Sequence, residues 1–267
     1  MKRLIISLLF VSFIVFRLSA QDLMRHIDIA QYKAQVKLVD EFRARFNGIE
    51  KREDVLPNDS TRRLQLLLLC NGERYLSDSC FQARYNNFIE TVLTHNTLLN
   101  YADSMWYAKA LCDAEFNGKT VPLTIYLSVE SRGTDMYKWV ISDVEGEVLE
   151  LGGYEENNEL FLMPNQHEQN FMALSRATSE MNRYITLYVK NSYQLNRLDV
   201  FNTLVFYKLL KVKSVSKLTF KFMQVPKYTL TVEYFVRKSL NCGWLVSDVV
   251  DMSDADKQKI LNKLHKQ

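Results

Sequence analysis

Trp139-Val140-Ile141-Ser142-Asp143-Val144 recurs as Trp244-Leu245-Val246-Ser247-Asp248-Val249. Upstream of each lies a second matched pair, Leu123-Thr124-Ile125-Tyr126-Leu127-Ser128-Val129 and Leu230-Thr231-Val232-Glu233-Tyr234-Phe235-Val236. In both pairs the apolar positions share one register. They recur at a period of about two, as in a strand whose successive side chains point to opposite faces. The offset between copies drops by two residues from the first pair to the second, which a shorter second turn explains. Any two amphipathic strands share a period, but the common Trp-x-x-Ser-Asp-Val goes beyond it. The reading is an internal duplication.

Working outward, a strand over 105–116 runs into Asn117-Gly118, two residues that tolerate positive φ and mark a tight hairpin. The return strand covers 120–130, a turn follows around Arg132-Gly133-Thr134-Asp135, and a third strand covers 136–145. The later triplet is expected at 215–224, 228–238 and 242–250. Helical spacing precedes each triplet. Ile29, Tyr32, Val36, Val39, Phe42 and Phe46 line one face of a helix over 23–47 that stops at Gly48. Further helices are predicted over 61–71, ending at Gly72, and over 80–94, where Ser79 and Gln82 have capping-box spacing. In the second half, helices are predicted over 166–184 and 197–211. A short last helix follows Ser253. Residues 146–165, rich in Gly, Glu and Asn, read as the connection. The fold class is therefore α+β, with domains over 21–155 and 156–267, each having helices packed on a curved antiparallel sheet.

The N-terminus has the order of an export signal: Lys2-Arg3, an apolar run from Leu4 to Phe16, then Leu18-Ser19-Ala20. Cleavage is expected after Ala20. The run is too short to span a bilayer, and no second long apolar run follows. The expected location is secreted or periplasmic, with no membrane span once residues 1–20 are removed.

The chain carries 34 basic and 31 acidic residues, and three of the basic ones, Lys2, Arg3 and Arg17, lie in the signal. The remainder is neutral, which gives no support for nucleic-acid binding. The neutrality divides: residues 21–164 hold 15 basic and 23 acidic residues, residues 165–267 hold 16 and 8. Two readings are open, attraction between the halves or an acidic partner on one side, and two solvated surfaces on the other. Apolar residues make up 47%, enough for a packed core.

Four cysteines, Cys70, Cys80, Cys112 and Cys242, permit three full pairings in an exported protein. Cys70 and Cys80 are the expected bridge, being close across a loop-like stretch, and four buried thiols are the alternative. No cysteine pair has the close spacing of a structural zinc site, so no metal is expected.

Helices followed by a long antiparallel sheet, with Trp near the start of a late strand, resemble the NTF2-like (cystatin-like α+β) superfamily. The stretch Phe42-Arg43-Ala44-Arg45-Phe46-Asn47-Gly48, with a signal ending Ala20-Gln21, is similar to secreted Bacteroidetes proteins of that fold. The resemblance spans the whole chain after the signal, as two copies, and the second copy lacks a clear Phe-Asn-Gly. It implies a sheet wrapped on a helix with a conical pocket. That pocket serves isomerases and dehydratases in some members and ligand or partner binding in many.

No nucleophile elbow, phosphate loop or paired His–carboxylate motif is present. His26, His95, His167 and His265 are isolated in sequence. Asp143 and Asp248 are the candidate pocket acids or bases, against a plain role in closing a strand, and Ser142 and Ser247 lack the partners of a nucleophile. Trp106, Trp139 and Trp244 could stack on sugar rings or simply pack across strands. Arg62-Arg63 and Lys208, Lys211, Lys213, Lys217 and Lys221 could meet an acidic partner or form solvated faces. The expected function is a non-catalytic binding module for a small ligand, glycan or protein, with no cofactor. A pocket acid/base enzyme of isomerase or dehydratase type is the alternative.

Overall fold

A computed structural model describes residues 36, 38–49, 59–133, 136–150, 190, 196–237 and 240–265. The elements are helices α1 (Val39–Phe46), α2 (Asp59–Leu68), α3 (Gly72–Ser77) and α4 (Ser79–Thr94), then strands β1 (Trp106–Phe116), β2 (Lys119–Gly133) and β3 (Met136–Glu145). After a 3-10 turn at Glu147–Leu149 come α5 (Arg197–Phe206), β4 (Leu210–Phe222), β5 (Tyr228–Phe235), β6 (Gly243–Asp251) and α6 (Asp254–His265). The α+β class is observed.

The two strand triplets belong to one six-stranded sheet of order β3-β2-β1-β4-β5-β6, where the sequence predicts two sheets. The triplets meet at β1 and β4, which puts Trp139 and Trp244 on the two outermost strands. Asn117 and Gly118 turn the first hairpin with φ of 49° and 77°. In the second triplet β5 and β6 pair antiparallel from Tyr228↔Asp251 to Phe235↔Gly243, with an irregularity between Thr231 and Val232. Thr229 and Thr231 are buried along with Leu230 and Val232, so both faces of this part of β5 are covered. A single alternation reads only one of them.

The chain folds into two compact units that interleave in sequence. Among the described residues, one comprises those from 36 to 109 with 128–140 and 218–265, and the other those in 110–127 and 141–217. The boundary expected at 155 lies outside the described residues, as do the helix over 166–184 and residues 23–35 of the helix expected over 23–47; that helix begins at Val39, and Val36, expected on its apolar stripe, bridges to Gly243 instead.

In the first unit, α1 and α4 pack against β6, so helices of the first half stand on strands of the second. Phe42 and Phe46 of α1, and Phe81, Tyr85 and Phe88 of α4, are fully buried. Phe42 stacks on Phe222 at 5.9 Å, and Phe88 meets Tyr228 edge-on at 5.8 Å. Backbone pairing continues off the sheet edge: Asn71 N–H donates to Val246 O at 2.9 Å, and Val246 N–H to Leu69 O at 2.8 Å. Asn241 Nδ2 donates to the carbonyls of Leu68 and Cys70, and its Oδ1 accepts from Gly72 N–H. These bonds satisfy carbonyls at the end of α2 that lack helical partners. Gly72 therefore opens α3, whereas the sequence suggests that it ends a helix. Asp78 caps α4 by accepting from Phe81 N–H at 2.9 Å, in place of the expected Ser79.

In the second unit, Asn196 and Asp199 form a reciprocal capping box at the start of α5. The helix stops at Phe206, and Lys208 follows with φ of 60°. Leu123, Ile125, Val144 and Leu149 are buried here.

The four cysteines are free, with Cys70 buried and Cys80 exposed, so the expected Cys70–Cys80 bridge is not formed. Burial pushes the Cys70 thiol well up, opposed by the nearby Arg74 charge. Residues 69–72 are tied to β6 and Asn241, and Cys80 lies in the first turn of α4, facing outward.

Candidate functional site

The structure sorts the three tryptophans. Trp106 is 2% exposed and stacks with two rings, Tyr101 at 4.7 Å and Phe222 at 5.1 Å, both near-parallel. Its indole N–H donates to Tyr101 O at 3.2 Å. Trp106 is therefore core. Trp244 lies edge-on between Phe220 at 4.9 Å and Tyr234 at 5.3 Å. Trp139 meets Trp106 edge-on at 4.9 Å and Phe220 at 6.2 Å, yet remains 45% exposed. It alone combines a fixed ring with a large solvent-facing surface.

That surface borders a cleft of about 360 Å³ in the first unit. Trp106, Phe220 and Val129 line its walls, and Tyr137 and Trp139 of β3 line it as well. Tyr137 and Trp139 are two apart on a strand and thus share a face. Leu38, Val39 and Asp40 line it from the start of α1, and Tyr101 and Lys138 complete it. The volume falls in the usual range for small-molecule sites.

Tyr101 is held by the Arg43 guanidinium, whose carbon sits 4.6 Å from the ring centre. Burial, followed by the nearby Asp40 charge, pushes the Tyr101 phenol well up, and Arg43 opposes this. The Tyr101 hydroxyl and Arg43 Nε are buried without a hydrogen bond of ordinary geometry. Asp40 is 3.8 Å from Arg43, and Lys138 is 3.1 Å from Glu130 on the neighbouring strand.

The stretch Phe42–Gly48 shapes this end of the unit. Asn47 makes a two-point contact with Leu99, Nδ2 donating to its O at 2.9 Å and Oδ1 accepting from its N–H at 2.8 Å. Gly48 follows with φ of 69°. Arg62 donates to Phe46 O and to Asn96 Oδ1, and Arg63 grips both carboxylate oxygens of Glu90. The arginine pair thus serves the helices, which accounts for two of the cations that could meet an acidic partner. Among the lysines, Lys213 pairs with Glu115 at 2.7 Å and Lys221 donates to Thr231.

The candidate acids stand in parallel settings away from the cleft lining. Asp143 Oδ1 accepts from Val144 N–H at 2.8 Å, and its Oδ2 lies 3.4 Å from Arg197. Asp248 Oδ1 lies 3.0 Å from Arg74, whose guanidinium also covers the Phe81 ring at 4.4 Å. Ser142 and Ser247 each donate to a carbonyl 16 residues earlier at 3.3 Å, to Tyr126 O and Thr231 O respectively. Each Ser-Asp pair fixes backbone and an arginine. His95 Nδ1 is 2.9 Å from Thr91 O at the end of α4, on the surface. His26, His167 and the His265 side chain lie outside the described residues. No group of three or more potential metal ligands occurs among the described residues.

Of the cleft residues, the tryptophans stand out in the sequence, while Asp40, Tyr101 and Lys138 do not. Nothing in the sequence near Asp40 marks it, because only the tertiary fold brings the start of α1 and β3 to the same cleft. No protein family, curated protein or solved structure matches the chain.

Proposed function

We propose that the chain is an exported, non-catalytic binding module whose site is the aromatic cleft at Trp139. The exposure of Trp139 at the mouth of a cleft walled by Trp106 and Phe220 carries this reading. A singly exposed ring is ordinary, whereas Trp139 joins Tyr137, Trp106 and Phe220 in one concave apolar surface. The cleft also combines a mostly apolar and aromatic lining with a few polar groups, as small-molecule sites do.

The competing reading is an acid/base enzyme working through Asp143 or Asp248. A general base must reach its substrate's proton. Both carboxylates are engaged by arginines, and neither lines the cleft. This favours binding over catalysis.

The finer architecture belongs to the same proposal: two NTF2-like repeats whose sheets join edge to edge, with their helices exchanged between halves. The matched Ser142 and Ser247 bonds and the matched Asp–Arg pairs support it. No helix among the described residues is long and apolar enough to cross a membrane.

A thermal-shift screen tests the binding reading, since a ligand that binds only the folded chain raises its Tm by mass action. The expected outcome is a saturable rise that Trp139→Ala removes. A rise that survives Trp139→Ala moves the site elsewhere. N-terminal sequencing of the exported protein tests the signal: a chain starting at Gln21 is expected, and one retaining residues 1–20 counts against export with cleavage.

A further inference from the structure

The second unit carries an exposed apolar tip on a built turn. Phe206 is 78% exposed and Tyr207 66%, and Val205 before them and Leu209 after them are exposed as well. The two rings meet edge-on at 5.2 Å. Leu209 N–H donates to Leu204 O at 2.9 Å and Lys208 N–H to Val205 O at 3.0 Å, the paired bonds of a Schellman stop at the end of α5. Buried Phe201 and Leu210 anchor the turn on either side. Lys208 takes the left-handed position, with φ of 60°, that glycine or asparagine usually fills, which sets a cation between Tyr207 and Leu209.

The charge around the tip is mainly positive. Residues 205–217 hold Lys208, Lys211, Lys213 and Lys217 and no carboxylate, and all of them except Leu210 are exposed. Residues 186–195, the sequence that leads into α5, hold Lys190 and no carboxylate either. The carboxylate of α5, Asp199, closes the capping box at the far end of that helix. From β1, Asp113 accepts from Ser214, and Glu115 holds Lys213 at 2.7 Å. Two carboxylates against four lysines leave this face of β4 positive.

We propose that the tip docks on an anionic lipid bilayer, with Phe206 and Tyr207 entering the boundary between headgroups and acyl chains and Lys208 and Lys211 meeting lipid phosphates. Aromatic rings favour that boundary, and lysine stems reach from it to the charged layer. A protein partner fits the tip less well. Four side chains on one turn offer on the order of 500 Å², short of the roughly 800 Å² that a stable interface takes from each partner. A bilayer needs no complementary surface, and each apolar side chain that enters it contributes by itself. The assignment is independent of the cleft at Trp139.

The test floats the exported chain with lipid vesicles, after removal of residues 1–20, whose apolar run would bind vesicles by itself. One set is phosphatidylcholine alone, and the other is phosphatidylcholine mixed with phosphatidylglycerol. Flotation with the anionic vesicles is expected, several-fold stronger than with the uncharged ones and weakened in about 0.5 M salt. Phe206→Ser with Tyr207→Ser should weaken it more than about tenfold. Lys208→Glu with Lys211→Glu should remove the preference for anionic lipid. Val236→Ser, at an exposed apolar residue of the first unit, should leave flotation unchanged. Near-ultraviolet circular dichroism verifies that each variant is folded. No flotation, or flotation that survives the Phe206 and Tyr207 substitutions, overturns the proposal. Equal flotation with both vesicle types overturns the anionic assignment. A dimer in sedimentation velocity that the same two substitutions disperse, without flotation, overturns the bilayer in favour of a second copy of the chain.

Discussion

At position 243 the backbone has φ of +94°, and a Cβ there would lie 2.7 Å from Val36 N and closer still to Val36 O. Gly243 begins β6 where residue 36 bridges to it, and Trp244 N–H donates to Val36 O at 3.0 Å. Both strain and a backbone clash oppose any side chain. Gly243→Ala is expected to cost about 2–4 kcal/mol in urea denaturation. Asn47 makes a different argument, from hydrogen bonding. Its amide pairs with both polar groups of the Leu99 backbone, and Leu99 itself is buried. Asn47→Ala would leave a donor and an acceptor short of partners, with an expected loss of roughly 1–3 kcal/mol. Asn47→Asp, which keeps the acceptor and loses the donor, should lie between it and the unsubstituted protein.

Helix α4 carries its own pH dependence. Its N-cap, Asp78, is held below the ordinary carboxylate range first by the hydrogen bond from Phe81 N–H, and further by Cys80 N–H and the charges of Arg74 and Arg84. A carboxylate lowered on folding stabilises the fold fully above its unfolded pKa. That contribution is lost as pH falls through the folded pKa. Asp78→Asn keeps a capping oxygen but removes the charge. The substituted chain is expected to be less stable than the original at neutral pH, and the two should converge as the pH falls through the lowered folded pKa of Asp78. Urea midpoints across pH check this; a gap that stays constant with pH would place the effect elsewhere. Glu90 shifts in the same direction through its bond with Arg63, so Glu90→Gln as a second background separates the two carboxylates.

Across the whole molecule, the helices of residues 39–94 and the strands they cover lie in different halves of the sequence. A fragment ending at residue 155 has α1 and α4 without β6, and a fragment starting at 156 has β6 without them. Neither is expected to unfold cooperatively alone, while a mixture should regain near-ultraviolet circular dichroism. The pairing would rest on the Asn71–Val246 and Val246–Leu69 bonds and on buried aromatic rings. Recovery should therefore persist in about 1 M salt, where the opposed charges of the halves are screened within about 3 Å. Recovery abolished by salt would instead favour attraction between the acidic and basic halves.

Local chemistry makes the elements readable. The turn at Asn117-Gly118, the strand at 136–145 and the helix over Ser79–Thr94 follow from positive-φ tolerance, period two and period 3.6, all of which act between near neighbours. The matched Trp-x-x-Ser-Asp-Val segments likewise identify the two triplets, and the α+β class with them. The edge-to-edge joining of β1 and β4, the packing of α1 and α4 on β6, and the meeting of Asp40, Tyr101 and Trp139 at one cleft depend on contacts between residues distant in the chain. A strand's side-chain pattern states which face is apolar but not which helix covers it. The bare backbone edge of β1 is equally able to pair with any antiparallel neighbour, and only the packed chain selects β4.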